Sequence, residues 1–212
     1  RWNQAGEDPI IEEKIMGIQL PLSREKNIVL VGMPGAGKST IGVLLAKYVA
    51  KEFVDTDVSI QVREGKSLQD ILDESDYLNL RRIEQEVLLS LQCTNHVIAT
   101  GGSAAYSDPA MRHLKKGSAV VFLDVDYEVV MRRVHNFGSR GIACERGMTM
   151  KDVFAERRPL YLKYADFTIR CDKGNQDDVA DMIIQALQLE RDHSMKRDVD
   201  KAGALHGRGG TQ

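Results

Sequence analysis

Cysteine is scarce in this chain, neither sign of charge dominates, and long apolar runs are missing. Only Cys93, Cys144 and Cys171 occur in 212 residues. An odd number with no close pair builds neither a disulfide framework nor a zinc site, and it points to a reducing, cytoplasmic setting. The 29 lysines and arginines nearly balance the 31 aspartates and glutamates, for a net charge of -2. Because the signs are interspersed, no basic footprint for nucleic acid or an anionic membrane is present. No stretch approaches the roughly 20 apolar residues that cross a bilayer. The chain begins at Arg1, with Met16 as a candidate start, and the acids Glu7, Glu12 and Glu13 stand where a targeting peptide would be basic. No internal repeat is visible. A soluble protein with neither nucleic-acid nor membrane partners is expected.

What is present is an ordinary globular balance, 42% hydrophobic and 28% charged, enough for one packed core. Asn27 to Val31 is a short apolar run ending at Gly32, as in a strand buried on both faces of a parallel sheet. Lys38 to Ala50 reads as a helix, with Ile41, Leu44, Leu45 and Tyr48 on one stripe. Glu52 to Val54, His96 to Ala99, Ala119 to Asp124 and Phe167 to Cys171 are further strand candidates, separated by helix-like or loop sequence. This alternation predicts an α/β fold, a parallel sheet with helices on both faces. A last helix starts near Asp177 and Asp178 and places Val179, Met182, Ile183, Ala186 and Leu187 on one face. The expected organisation is an N-terminal extension over 1–26, one domain over 27–189, and a disordered tail over 190–212 that lacks apolar periodicity.

Gly32-Met33-Pro34-Gly35-Ala36-Gly37-Lys38-Ser39-Thr40 matches the phosphate-binding P-loop pattern in full, between a strand and a helix. Small residues let consecutive backbone N–H groups approach phosphate oxygens, and the helix start adds partial positive charge. Gly35, Ala36, Gly37, Lys38, Ser39 and Thr40 are therefore the candidate nucleotide contacts. Lys38 would reach the β- and γ-phosphates of ATP, and the Ser39 hydroxyl would ligate Mg²⁺. A glycine-rich turn that fits by chance is the alternative reading. By itself the loop indicates a nucleotide and not a reaction.

After the second strand come Asp55 and Asp57. Strand alternation would point both out of the carboxyl edge, where ligands of open α/β sheets bind. One could sit near Mg²⁺ and one at an acceptor hydroxyl; equally, they could be turn acids capping the next helix. Later come Arg81-Arg82-Ile83-Glu84, Ala99-Thr100-Gly101-Gly102 and Arg157-Arg158-Pro159-Leu160-Tyr161. Alone, Arg81 and Glu84 could be an exposed surface pair, and Arg157 could cap a helix ending before Pro159.

Taken in order and spacing, these five elements resemble the shikimate kinases over Asn27 to about Leu189. The resemblance implies a five-stranded parallel sheet of the nucleoside-monophosphate-kinase-like type, with the P-loop after the central strand and a lid over about 136–150. It implies transfer of the ATP γ-phosphoryl group to the 3-hydroxyl of shikimate, and a cytoplasmic monomer is expected. Asp57 would bind the acceptor hydroxyls and act as base, and Asp55 would hold water on Mg²⁺. Arg81 and Arg157 would grip the substrate carboxylate, Gly101 and Gly102 would offer backbone N–H groups, and Arg140 would be the lid arginine that meets the phosphates. A planar guanidinium fork matches a carboxylate with two hydrogen bonds, and Glu84, one turn after Arg81, could hold that guanidinium in place.

Two features depart from the family pattern. Ser103 stands where the third glycine is usual, a side chain that could crowd or reshape the acceptor pocket, and Gly141-Ile142 replaces the proline and leucine after the lid arginine. These leave open a kinase for another small hydroxy acid such as gluconate. A nucleotide-binding relative without turnover is the second alternative.

Overall fold

Ile28, Val29, Leu30 and Val31 have no exposed surface at all, a condition met only by a strand covered on both faces. The computed structural model describes residues 25–134 and 141–188. In it this strand, β1 (Asn27–Val31), is the middle of five parallel strands. The others are β2 (Glu52–Asp55), β3 (His96–Ala99), β4 (Ser118–Asp124) and β5 (Phe167–Arg170), in the order β2-β3-β1-β4-β5. Val29 pairs with Ile98 on one side and Val120 on the other. The chain thus leaves β1 where the strand order changes direction, the place at which open α/β sheets bind ligands.

Eight α-helices are described: α1 (Lys38–Tyr48), α2 (Thr56–Glu64), α3 (Leu68–Glu74), α4 (Tyr77–Ser90), α5 (Asp108–Lys115), α6 (Tyr127–Arg133), α7 (Met150–Tyr164) and α8 (Gln176–Ala186). They cover both faces of the sheet; α1 packs with α8 and α4 with α5. No described helix is long and apolar enough to cross a membrane. The main core runs through the sheet. A smaller cluster of Ile60, Ile71, Leu80, Ile83, Val87 and Ala143 lies among α2, α3, α4 and the segment before α7. Residues 1–24 of the expected extension, the expected tail 190–212, and residues 136–140 of the expected lid, Arg140 included, lie outside the described residues; 141–150 of the lid are described.

One alternative reading is overturned outright. Arg157-x-Pro159 does not end a helix: α7 starts at a capping box between Thr149 and Asp152 and continues through Pro159 to Tyr164. Proline in a helix interior costs about 3 kcal/mol. The face formed by Val153, Arg157, Tyr161 and Tyr164 is buried, and that packing outweighs the lost hydrogen bond.

The orientation of α7 is held by Arg158. Its Nε and Nη2 donate to the two oxygens of Asp124, at 3.1 and 2.7 Å. The Asp124 side chain is 3% exposed and that of Arg158 37%, so the two ends are not equivalent. Removing the arginine strands a buried carboxylate, with Arg170 only at 3.4 Å; removing the acid leaves a guanidinium that can turn to water. Arg158→Ala is expected to destabilise by about 3 kcal/mol and Asp124→Asn by clearly less in urea unfolding. Equal losses would contradict this account.

Candidate active site

The P-loop forms its cradle because Gly35 and Gly37 take left-handed backbone angles, φ 83° and 98°. A side chain on Gly35 would also meet Val134 Cγ2 at 2.6 Å. Gly37 is the N-cap of α1 and supplies no capping side chain, so the first amides of the helix remain available to an anion. Lys38 is buried, and its Nζ donates to Gly32 O at 2.8 Å and Met33 O at 3.0 Å. Burial lowers its pKa to about 8, with Asp57 pulling the other way. Ser39 and Thr40 are exposed along the same cleft, whose volume is about 420 Å³. Arg133, at the end of α6, also lines the cleft and donates to Gly35 O at 3.4 Å. Sequence reading missed it, although an arginine closing the helix just before the expected lid was a usable signal.

Asp57 lines this cleft too, but not for the reason read from strand alternation. β2 stops at Asp55, and Asp57 belongs to the first turn of α2. Asp55 is the helix N-cap, its Oδ1 accepting from Asp57 N at 3.0 Å. Asp55 thus caps α2 through Oδ1, while Asp57 lines the cleft. Between them, fully buried Thr56 accepts the Gly101 N–H at 3.0 Å. That amide is engaged by the protein itself, so Gly101 contributes its missing side chain instead: a Cβ there would collide with Glu84 Oε1 and lie 2.6 Å from Asp57 Oδ1. Gly102 has a similar constraint, since its Cβ would stand 2.9 Å from Arg157 Nη1.

Arg157 is 1% exposed and lines the same cleft. Its Nη2 donates to Ala143 O at 2.8 Å. Arg81 reaches the same oxygen from α4, through Nε at 3.3 Å and Nη2 at 3.2 Å. The two guanidinium groups converge on a backbone carbonyl within the segment expected as the lid, 136–150. Arg157 Nε has no hydrogen-bond partner among the described residues.

Glu84 does not hold Arg81. It is 3% exposed, and its Oε2 accepts a hydrogen bond from the Ser103 hydroxyl. Ser103 thus turns towards Glu84, while Glu84 Oε1 has no hydrogen-bond partner among the described residues. Burial, with the Asp57 charge adding to it, pushes the Glu84 pKa up to about 7, against the pull of Ser103, Arg157 and Lys38. The cleft therefore joins an anion cradle with a cation at one part and Asp57, Glu84 and Arg157 at another; Arg81 meets Arg157 at Ala143 O and borders a second cleft. Such a site can hold a polyphosphate next to a small hydroxylated acid.

Comparison with known proteins agrees with this geometry. The family model for shikimate kinase matches residues 34–188. A shikimate kinase of Xylella fastidiosa strain M23 is 38% identical over 150 residues, 69% of this chain and 83% of that protein. The solved shikimate kinase of Acinetobacter baumannii in complex with shikimate superposes with a TM-score of 0.70 at 31% identity, covering 77% of this chain and 93% of that one. Thymidylate kinase of Candida albicans, 14% identical with a TM-score of 0.57 over 78% and 92% of the two chains, shares the fold alone. A match of this extent, on a cleft so arranged, means that the chain belongs to the shikimate kinase family.

Proposed function

We propose that this kinase transfers the γ-phosphoryl group of ATP to the 3-hydroxyl of shikimate, with Asp57, Arg81 and Arg157 as the acceptor site. The convergence of the two guanidinium groups on Ala143 O, with Arg157 and Asp57 lining one cleft, is the observation that carries the reading. A carboxylate entering there would replace a single carbonyl acceptor with two charged oxygens, the ligand that guanidinium forks suit best.

The P-loop amides and Lys38 would hold the phosphates, Lys38 exchanging its two carbonyl partners for phosphate oxygens. Phosphoryl transfer passes through a loose transition state, so alignment and charge neutralisation matter more than a strong base. Asp57 would orient the acceptor hydroxyl and accept its proton late. Arg140, from the lid, would add positive charge at the phosphates. Mg²⁺ neutralises phosphate charge when bound; Ser39, and Asp55 through water, would hold it. No group of three His, Cys, Asp or Glu side chains forms a metal cage among the described residues. That donor set fits a hard cation that keeps waters and phosphate oxygens as its main ligands. The enzyme would work as a cytoplasmic monomer.

In a coupled ADP-release assay, Asp57→Asn and Lys38→Ala proteins that retain their circular dichroism are expected to lose at least about 100-fold in kcat with shikimate. Turnover confined to gluconate would reassign the acceptor, and ATP binding without turnover on any hydroxy acid would remove the enzymatic reading.

Lys38 also sets a pH limit. Its folded pKa is lowered to about 8, so free enzyme loses the ammonium charge as pH rises through that value. kcat/KM for ATP is expected to fall above about pH 8, whereas bound phosphates, which favour the charged form, should move the corresponding fall in kcat to higher pH. A kcat/KM profile flat to pH 10 would contradict this role.

A further inference from the structure

Arg81 needs a support that Glu84 does not provide, and the fold contains one. The guanidinium carbon of Arg81 lies 3.5 Å from the centroid of the Tyr106 ring and 4.9 Å from that of Tyr77. Arg157 approaches the same Tyr106 ring, at 5.5 Å. One aromatic side chain thus borders both cations that meet at Ala143 O.

We propose that Tyr106 is the positioning residue for the acceptor-carboxylate grip, replacing Glu84 as the group that orients Arg81. This rests on the reading of Arg81 and Arg157 as carboxylate ligands. A guanidinium lying against a ring keeps its in-plane N–H donors and its full charge, because the attraction acts through its face. A salt bridge to Glu84 would occupy those donors and offset the charge. Ser103 makes the arrangement possible by binding Glu84 Oε2 on the other side.

The platform is itself fixed. Tyr106 closes the 3-10 turn Ala104–Tyr106, with Tyr106 N donating to Ser103 O at 3.0 Å and Ser107 N to Ala104 O at 3.1 Å. Ser107 then caps α5 and donates to Gln85 Oε1 on α4 at 2.6 Å. The turn that carries the ring is therefore tied to the helix that carries Arg81. A second cleft of about 370 Å³ is bordered by Arg81 and Tyr106, and Glu84 and Ser103 border both this cleft and the P-loop cleft.

The test is steady-state kinetics on Tyr106→Leu, Tyr106→Phe, Arg81→Lys and Arg157→Lys, each checked for wild-type circular dichroism. Tyr106→Leu is expected to raise KM for shikimate about 5- to 30-fold, with kcat and KM for ATP within about twofold. Tyr106→Phe, which keeps the ring, should restore KM to within about threefold. A purely structural role would lower kcat or raise both KM values together and would overturn the inference. If both lysine variants raise shikimate KM and Tyr106→Leu does not, the inference fails while the carboxylate grip stands. If neither lysine variant changes it, the grip itself is wrong and the role of Tyr106 falls with it.

Discussion

Two cations and two carboxylates, Lys38, Arg157, Asp57 and Glu84, face one cleft, and three of them are buried almost completely. Each buried charge costs several kcal/mol unless it is paired or hydrogen-bonded. The cleft is tolerable because the opposite signs alternate within it, and because Ser103, Gly32 O, Met33 O and Ala143 O meet the charged groups. These partners are weaker than the ligands they stand in for. A carbonyl under Lys38 is a poorer acceptor than a phosphate, and a carbonyl between two guanidinium groups is poorer than a carboxylate. The protein therefore holds its cations in place while leaving a gain for the substrate to supply.

That balance depends on placement by the fold. The central position of β1 delivers the P-loop to the middle of the carboxyl edge, and the Thr100 hydroxyl ties the end of β3 to Leu30 O at 3.0 Å. Asp57, Arg81 and Glu84 come instead from α2 and α4, which share the smaller apolar cluster. Ala143 joins that cluster as well, so this described part of the expected lid is packed against α2, α3 and α4. Arg157 arrives on α7, whose setting is fixed across the molecule by Arg158 and Asp124. Small local packing units open more readily than main cores, which suits the half of the site that must admit and release the acceptor.

What could be read from sequence was what local pattern controls. The buried strand, the glycines of the P-loop and the helix after it follow from adjacent residues, and the sheet follows from their alternation. The family resemblance added Asp57, Arg81 and Arg157; Asp57 and Arg157 line the P-loop cleft, while Arg81 meets Arg157 at Ala143 O from the border of the second cleft. The failures are tertiary. Proline normally ends a helix, but the buried face of α7 carries it past Pro159. Glu84 is one turn from Arg81, yet Ser103, distant in sequence, takes its carboxylate. Thr56 engaging Gly101 and Tyr106 lying against Arg81 leave no signature in spacing, since both contacts join segments that meet only when the sheet is formed.

The central claim is that Arg81 and Arg157 together present one carboxylate site beside Asp57. A crystal structure with bound shikimate and ADP tests it most directly. The account predicts the shikimate carboxylate within hydrogen-bond distance of both guanidinium groups, in place of or next to the Ala143 carbonyl, with a ring hydroxyl on Asp57. A carboxylate bound away from either arginine, with the hydroxyls turned from Asp57, would contradict it.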